Sequence, residues 1–251
     1  MNIILLSDAD RSAGDEFIVR DNRAAHIRDI LQLDVGDTLH VGFLNGPLGD
    51  AVVTSRDSSS VTLEVTEWRR AAPPLYEIDL IIALPRPQTL KKILFIAGMT
   101  GVRRLWLIRA NRVEKSYFSS PLLNPEERVR FVYEGMMQGR RTRAPEIRVC
   151  PLFREFIDKD FLELESSDTK TALRILPDQD EKRTFGNIAK VSGAARYVIA
   201  IGPEGGWVPF EVEQFAALGF APVTLGPWAL RVEHAVMGAV SQIELVRSVE
   251  R

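Results

Sequence analysis

The sequence predicts an α/β chain in two parts. A small β-barrel with one helix covers residues 1–72, and a parallel sheet clothed in helices covers residues 75–251. Three observations carry this reading. Short runs with partial period-two alternation, separated by turn clusters, dominate the first part. Arg69-Arg70-Ala71-Ala72-Pro73-Pro74 then interrupts every periodicity with two prolines, a stiff linker. Beyond it, continuous apolar runs alternate with helical patterns, the arrangement of βα units.

Taken in order, Ile3–Leu6 is a short apolar strand. Asn22–Leu33 sets Ala25, Ile27, Ile30 and Leu31 near helical spacing and closes at Gly36-Asp37. Thr38–Phe43 reads as a strand, Asn45-Gly46-Pro47-Leu48-Gly49 as a turn cluster, and Asp50–Ser55 and Val61–Glu67 as two further strands. Tyr76–Leu84 is a continuous apolar run of the kind buried on both faces, stopped by Pro85 and Pro87. Thr89–Thr100 is an amphipathic helix closed by Gly101, Arg104–Arg109 a strand, and Pro125–Met137 a helix with proline in its first turn. Further strands are predicted at Thr171–Leu176, Tyr197–Ile201 and Pro222–Leu225, and helices at Pro209–Leu218 and Glu233–Val246. Ser166–Lys170 and Asp178–Arg183 read as polar loops.

A chain that is 45% hydrophobic and 26% charged excludes a disordered tail, a collagen-like fibre or a coiled-coil rod. The single cysteine, Cys150, excludes a disulfide framework and a multi-cysteine zinc site, and the few histidines, His26 and His40 among them, suggest no metal. Met1–Asp10 lacks the basic start and long apolar core of a signal peptide, and no run approaches the roughly 20 apolar residues of a membrane span. The expectation is a cytoplasmic protein. The net charge of −2 hides a pattern. Residues 1–85 hold 7 basic against 14 acidic side chains, residues 86–154 hold 15 against 5, and residues 155–251 hold 10 against 15. A basic middle between acidic flanks fits a polyanion contacted by one face. Arg140, Arg141 and Arg143 are its densest group, and guanidinium suits phosphate; the same cations would also complement a helix C-terminus.

The chemistry concentrates near the end of the chain. Tyr197–Ile201 runs straight into Gly202-Pro203-Glu204-Gly205-Gly206, a strand-end loop where glycines let a ligand approach the backbone. Pro222–Leu225 leads similarly into Gly226-Pro227-Trp228-Ala229-Leu230-Arg231, with Glu233 and His234 opening the next helix. Two such loops suit one pocket for an adenosine-like ligand. No Gly-x-Gly-x-x-Gly, P-loop, His-Glu-x-x-His or Gly-x-Ser-x-Gly pattern is present, which disfavours nicotinamide, ATP, zincin and hydrolase readings.

Gly202-Pro203-Glu204-Gly205-Gly206, Leu225-Gly226-Pro227 and Leu230-Arg231-x-Glu233 together resemble the SPOUT-class (α/β knot) methyltransferases. More closely, the chain resembles the small-subunit 16S ribosomal RNA uridine-N3 methyltransferase family, family E. His26-Ile27 with Leu31 is similar to that family's PUA-like barrel region. Gln138, Arg141, Arg143 and Pro145-Glu146-Ile147 are similar to its central block. The chain departs from the family pattern at Trp228, His234, Met137 and Arg140.

The resemblance implies a PUA-like RNA-docking β-barrel followed by a trefoil-knotted SPOUT domain. It also implies a homodimer through that domain, and methyl transfer from S-adenosylmethionine to N3 of one uridine in 16S rRNA, free or within the small ribosomal subunit. Leu176, Gly202, Pro203, Glu204, Gly205, Gly206, Leu225, Gly226 and Leu230 would hold the cofactor. Arg231 would steady the uracil anion, and Glu233 would orient Arg231 or accept the proton; a structural pair at a helix start is the plain alternative. His234 is a further base candidate. Arg140, Arg141, Arg143 and His26 would touch RNA, and Trp228 would either stack on a swung-out base or serve the core. A competing reading keeps the fold as a non-catalytic RNA-binding or ribosome-assembly protein, and another uses the pocket on a small molecule.

Overall fold

The computed structural model describes residues 2–166, 168–192 and 194–249, which group into two compact units. The first unit comprises residues 1–75 with two later segments, 98–101 and 132–144; the second comprises 76–97, 102–131 and 145–251. The Arg140–Arg143 segment groups with the N-terminal part.

The first unit is a six-stranded mixed sheet. Its strands are β1 (Ile4–Leu6), β2 (Arg11–Ala13), β3 (Glu16–Val19), β4 (Thr38–Phe43), β5 (Leu48–Arg56) and β6 (Val61–Arg70). They lie in the order β1-β4-β5-β6-β3-β2, with only β1–β4 parallel. Alternation does the sorting in β6: Val61, Leu63 and Val65 are buried, and the intervening positions turn outward. Phe17, Ile27, Val41 and Val53 complete that core. The predicted helix is shorter than its sequence pattern. Helix α1 (Asn22–Ala25), capped by the Asp21 carboxylate, passes into a wider π turn at His26–Ile30, and Gln32 at φ +54° ends it. Strand β2 went unpredicted because it carries no large apolar residue and is exposed at the sheet edge.

The second unit alternates strands and helices. In chain order it contains β7 (Tyr76–Ala83), α2 (Pro87–Thr100), β8 (Val102–Ile108), α3 (Pro125–Gly139), β9 (Glu146–Cys150), α4 (Phe153–Glu155) and α5 (Phe161–Ser166). Then follow β10 (Ala172–Pro177), α6 (Phe185–Ser192), β11 (Arg196–Ile201), α7 (Pro209–Ala217), β12 (Ala221–Val223) and α8 (Val232–Val249). The closing turns of α2 and most of α3 group with the first unit. The sheet is all parallel, in the order β12-β10-β11-β7-β8-β9. Every residue of β11 is buried, so both faces are covered. On one face Ile81, Trp106, Val198 and Ala200 meet Phe156, Phe161, Phe215 and Phe220; α8 packs against β11. This is the α/β class the sequence predicts. One feature has no counterpart in the pattern. Asp79 interrupts the apolar run of β7, fully buried, and receives Arg196 at 3.0 Å and Arg103 at 2.8 Å.

Candidate active site

Three neighbouring strands, β12, β10 and β11, end together, and their loops enclose a cavity of about 570 Å³. Open parallel sheets bind ligands at this end because the loops there are free to turn and present backbone groups. The wall brings together Leu176 and Ile201 from the strand ends, Gly202, Pro203, Glu204, Gly205 and Gly206 from one loop, and Leu225, Gly226, Trp228, Leu230 and Arg231 from the other. Each residue that the resemblance assigns to the cofactor lines this cavity. Asp178, Gln179, Asp180 and Val212 line it as well, and sequence reasoning missed them; Trp207, beside the first loop, lines it too. The polar stretch after β10 was legible as a loop, but nothing in its composition marks it as a wall.

The glycines have specific work here. Gly226 has φ +148°, and a Cβ on it would lie 2.5 Å from the Trp228 ring. Gly206 has φ +73°. Side chains at these two positions would strain the backbone, so the loops keep their shape only as glycine. A Cβ on Gly202 would crowd the Trp207 indole at 3.2 Å, whose Nε1 is buried with no partner among the described residues. Gly205 is the most tolerant: its Cβ would meet only the Arg112 side chain, at 3.1 Å. The loops are braced from behind. Gln242 of α8 donates to the Leu225 carbonyl at 2.8 Å, and Thr224 Oγ1 accepts from the Gly226 amide at 3.1 Å. The buried Glu211 carboxylate accepts from Val208 N at 3.0 Å and from Asn111 N at 2.6 Å, fixing the start of α7.

Arg231 and Glu233 do not form the expected pair. The Glu233 carboxylate is buried and accepts from Lys92 Nζ at 2.9 Å, whereas the Arg231 guanidinium is exposed, with no carboxylate within ion-pair distance among the described residues. The cause is local geometry. Arg231 supplies its carbonyl to the first turn of α8, and Glu233, two residues on, faces inward toward α2. Burial raises the Glu233 pKa, but Lys92 and the residue's own backbone amide outweigh it, leaving the carboxylate below its ordinary range. It stays ionised and weakly basic. His234 is exposed and lines neither this cavity nor its neighbour.

That neighbour is a second cavity of about 400 Å³, sharing Glu204, Gly205, Arg231 and Val232 with the first. Trp228 is no core aromatic: it is 67% exposed, with its ring laid over Gly226. In the first unit Arg140 and Arg143 are exposed, while Arg141 is half-buried beside Gly101 and donates to the Pro74 carbonyl at 3.3 Å. Thr142 between them is fully buried and donates to the Gly46 carbonyl at 2.7 Å. His26 is half-buried, with burial holding its pKa below the usual value, so it presents no cation to a phosphate. Among the described residues no group of three potential ligands could hold a metal ion, and no helix is long and apolar enough to cross a membrane.

Comparison with known proteins gives a consistent picture. Residues 72–244 match the family described as RNA methyltransferase domain. The chain is 29% identical over 246 residues to the ribosomal RNA small subunit methyltransferase E of Treponema pallidum, covering 97% of this chain and 90% of that one. A probable rRNA-methyltransferase from Porphyromonas gingivalis has a crystal structure that superposes with a TM-score of 0.72 at 26% identity, over 99% of this chain and 100% of the other. The ribosomal RNA small subunit methyltransferase E of Neisseria gonorrhoeae, bound to S-adenosyl methionine, shares the fold, with a TM-score of 0.75 at 19% identity over 98% of both chains. With more than half its length matched, through both glycine loops and Arg231, the chain belongs to the RNA methyltransferase domain family.

Proposed function

We infer that the protein transfers a methyl group from S-adenosylmethionine to N3 of a uridine in 16S ribosomal RNA. The observation that carries this is the glycine-walled cavity meeting a second, cation-lined one across Arg231. The wall fits the cofactor. Its volume lies within the roughly 300–1,000 Å³ of small-molecule sites, backbone is laid open at Gly206, and Leu176, Leu225 and Leu230 offer apolar contact to an adenosine. When bound, the cofactor supplies a methyl carbon on a sulfonium for in-line displacement by nitrogen.

The chain's own residues then have three tasks. The loops hold the reacting atoms in line, where positioning supplies much of the rate. Arg231 stabilises the negative charge that spreads onto the uracil carbonyls as N3 gives up its proton. Glu233, held ionised by Lys92, fixes the start of α8 and so the place of Arg231, and its weak basicity suits it poorly to take the proton. The family match and the methyltransferase names of its relatives favour an enzyme over a non-catalytic binder.

Several finer readings belong with this proposal. The mixed sheet of the first unit is a PUA-like barrel that docks RNA, using Arg140 and Arg143 with Arg141 as their brace. The C-terminal strands and α8 form a trefoil knot. A second copy covers Phe210, Val212, Met237 and Leu245, apolar side chains left exposed on α7 and α8, and solution mass by light scattering tests it. Such an enzyme works in the cytoplasm, where ribosomal subunits are assembled. The deciding experiment incubates the chain with methyl-labelled S-adenosylmethionine and small ribosomal subunits lacking the modification. Label on a single uridine N3 supports the proposal; cofactor binding without label on any RNA would leave the fold without this reaction.

A further inference from the structure

The second cavity lies wholly within the second unit. Arg86 and Thr89 bound it at the start of α2, and Arg112, Glu114 and Tyr117 from the segment between β8 and α3. The Glu204–Gly205 and Arg231–Glu233 segments close it against the first cavity. Three guanidiniums therefore surround one space: Arg86, Arg112 and Arg231. Several arginines elsewhere in the second unit are held in ion pairs. Arg103, Arg104, Arg174 and Arg196 each lie against at least one carboxylate. Among the described residues, Arg86, Arg112 and Arg231 have no carboxylate within 4.0 Å.

Three carboxylates, Glu114, Glu204 and Glu233, line the same cavity. Glu233 is taken by Lys92, and Glu114 accepts from the Tyr117 hydroxyl at 3.3 Å. What protein contacts the cations do have aim them without neutralising them. Arg86 Nε donates to the buried Thr89 hydroxyl at 3.3 Å, and one terminal nitrogen of Arg112 donates to the Gly205 carbonyl. Guanidiniums without a contacting carboxylate keep donors free for the oxygens of a phosphate. Tyr117 adds a half-buried ring whose hydroxyl is tethered, a flat face of fixed orientation. Gly205 belongs to the walls of both cavities, and the Arg112 side chain lies over it.

We propose that this second cavity receives the nucleotide to be methylated, swung out of its strand. Arg86 and Arg112 take the flanking backbone phosphates, Tyr117 stacks on the base, and the base edge reaches past Gly205 and Arg231 to the first cavity. The proposal rests on the methyltransferase reading and adds to it the substrate's seat and the residues that hold it. A base reached this way must leave its stack, and stacking on an aromatic ring with backbone charge neutralised is how such a nucleotide is held.

The test uses the full chain, small ribosomal subunits lacking the methyl group, and a series of salt concentrations. Arg86→Gln should raise KM about tenfold and lower the slope of log affinity against log salt by about one, the share of one phosphate contact. Its kcat should stay within about threefold, and its calorimetric affinity for S-adenosylmethionine within about twofold. Arg86→Lys should restore most of KM, since a phosphate accepts a point charge. Tyr117→Leu should raise KM with the salt slope unchanged, separating stacking from charge. Arg86→Gln with parental KM and parental slope would overturn the assignment. A parent chain that neither binds S-adenosylmethionine nor labels subunits would instead overturn the methyltransferase reading beneath it.

Discussion

Arg231 and Glu233 stand two residues apart at the start of α8, yet one faces solvent at the partition between two cavities and the other is turned inward onto α2. Arg231→Ala is expected to lower turnover by about 100-fold, the loss typical of one donor to developing charge, while cofactor affinity stays within a few-fold; single-turnover rates beside calorimetry check it. Glu233 makes a different prediction. Its folded pKa lies below the ordinary 4.5, so its pairing with Lys92 contributes stability above that value and loses it as pH falls through the folded pKa. Glu233→Gln should therefore melt lower than the parent at pH 7, with the gap closing in acid as the carboxylate is protonated below 4.5. An equal gap at both pH values would remove the ionised pair from the stability of α8. The sequence placed the glycines, Arg231 and the apolar wall correctly in one region because they sit in two short strand-end loops. It could not show that Glu233 belongs to Lys92, because 141 residues separate them and only the packing of α2 beside α8 decides which cation arrives. Cys150 illustrates the same limit: Asp160 and burial push its thiol up to about 12, so it is a neutral core side chain.

At the scale of the element, legibility followed burial. Residues 80–83 of β7, 105–108 of β8 and 197–201 of β11 are apolar because both faces are covered, and α2, α7 and α8 carry helical periodicity between clear stops. Strand β9 escaped because it is the sheet edge and alternates Glu146 and Arg148, which pair with each other. The helical stretch from Phe153 to Ser166 escaped because a π turn at Phe156–Asp160 shifts its period midway. Asp79 in β7 is the reverse case, a charge inside an apolar strand that only its three-dimensional partners explain. Asp79→Asn would remove one of the three carboxylates around Arg196, itself 1% exposed, leaving Glu165 and Asp168, and should cost about 2 kcal/mol in urea unfolding. In the second glycine loop, Gly226→Ala should weaken S-adenosylmethionine binding at least tenfold, because both φ and the Trp228 ring oppose a Cβ. Gly205→Ala should do far less, with only a movable Arg112 side chain in the way. Equal losses in the two variants would show that loop shape does not set affinity.

For the molecule as a whole, the basic middle third divides in two. Arg103, Arg104 and Arg148 are consumed in ion pairs, while Arg140 and Arg143 stand exposed in the first unit and Arg86 and Arg112 line a cavity of the second. Net charge along the sequence thus overstated the cations available to a polyanion, and the surplus lies in named places. Reversing Arg140 and Arg143 to Glu should weaken subunit binding at fixed salt, with cofactor affinity unchanged; unaltered RNA affinity would assign those arginines to the surface alone. The strand order has a consequence for how the chain is made. Strand β7 lies between β8, which follows it closely, and β11, whose Tyr197 pairs with Ile78 about 120 residues later. At roughly 5–20 residues per second, a ribosome needs about 6–24 s to deliver that partner after β7 itself. Throughout that interval a central strand of the parallel sheet has one bare edge. The nascent chain of this protein therefore belongs with the slow folders whose centre closes last, and it is a natural client for whatever shields sticky strands at the tunnel exit.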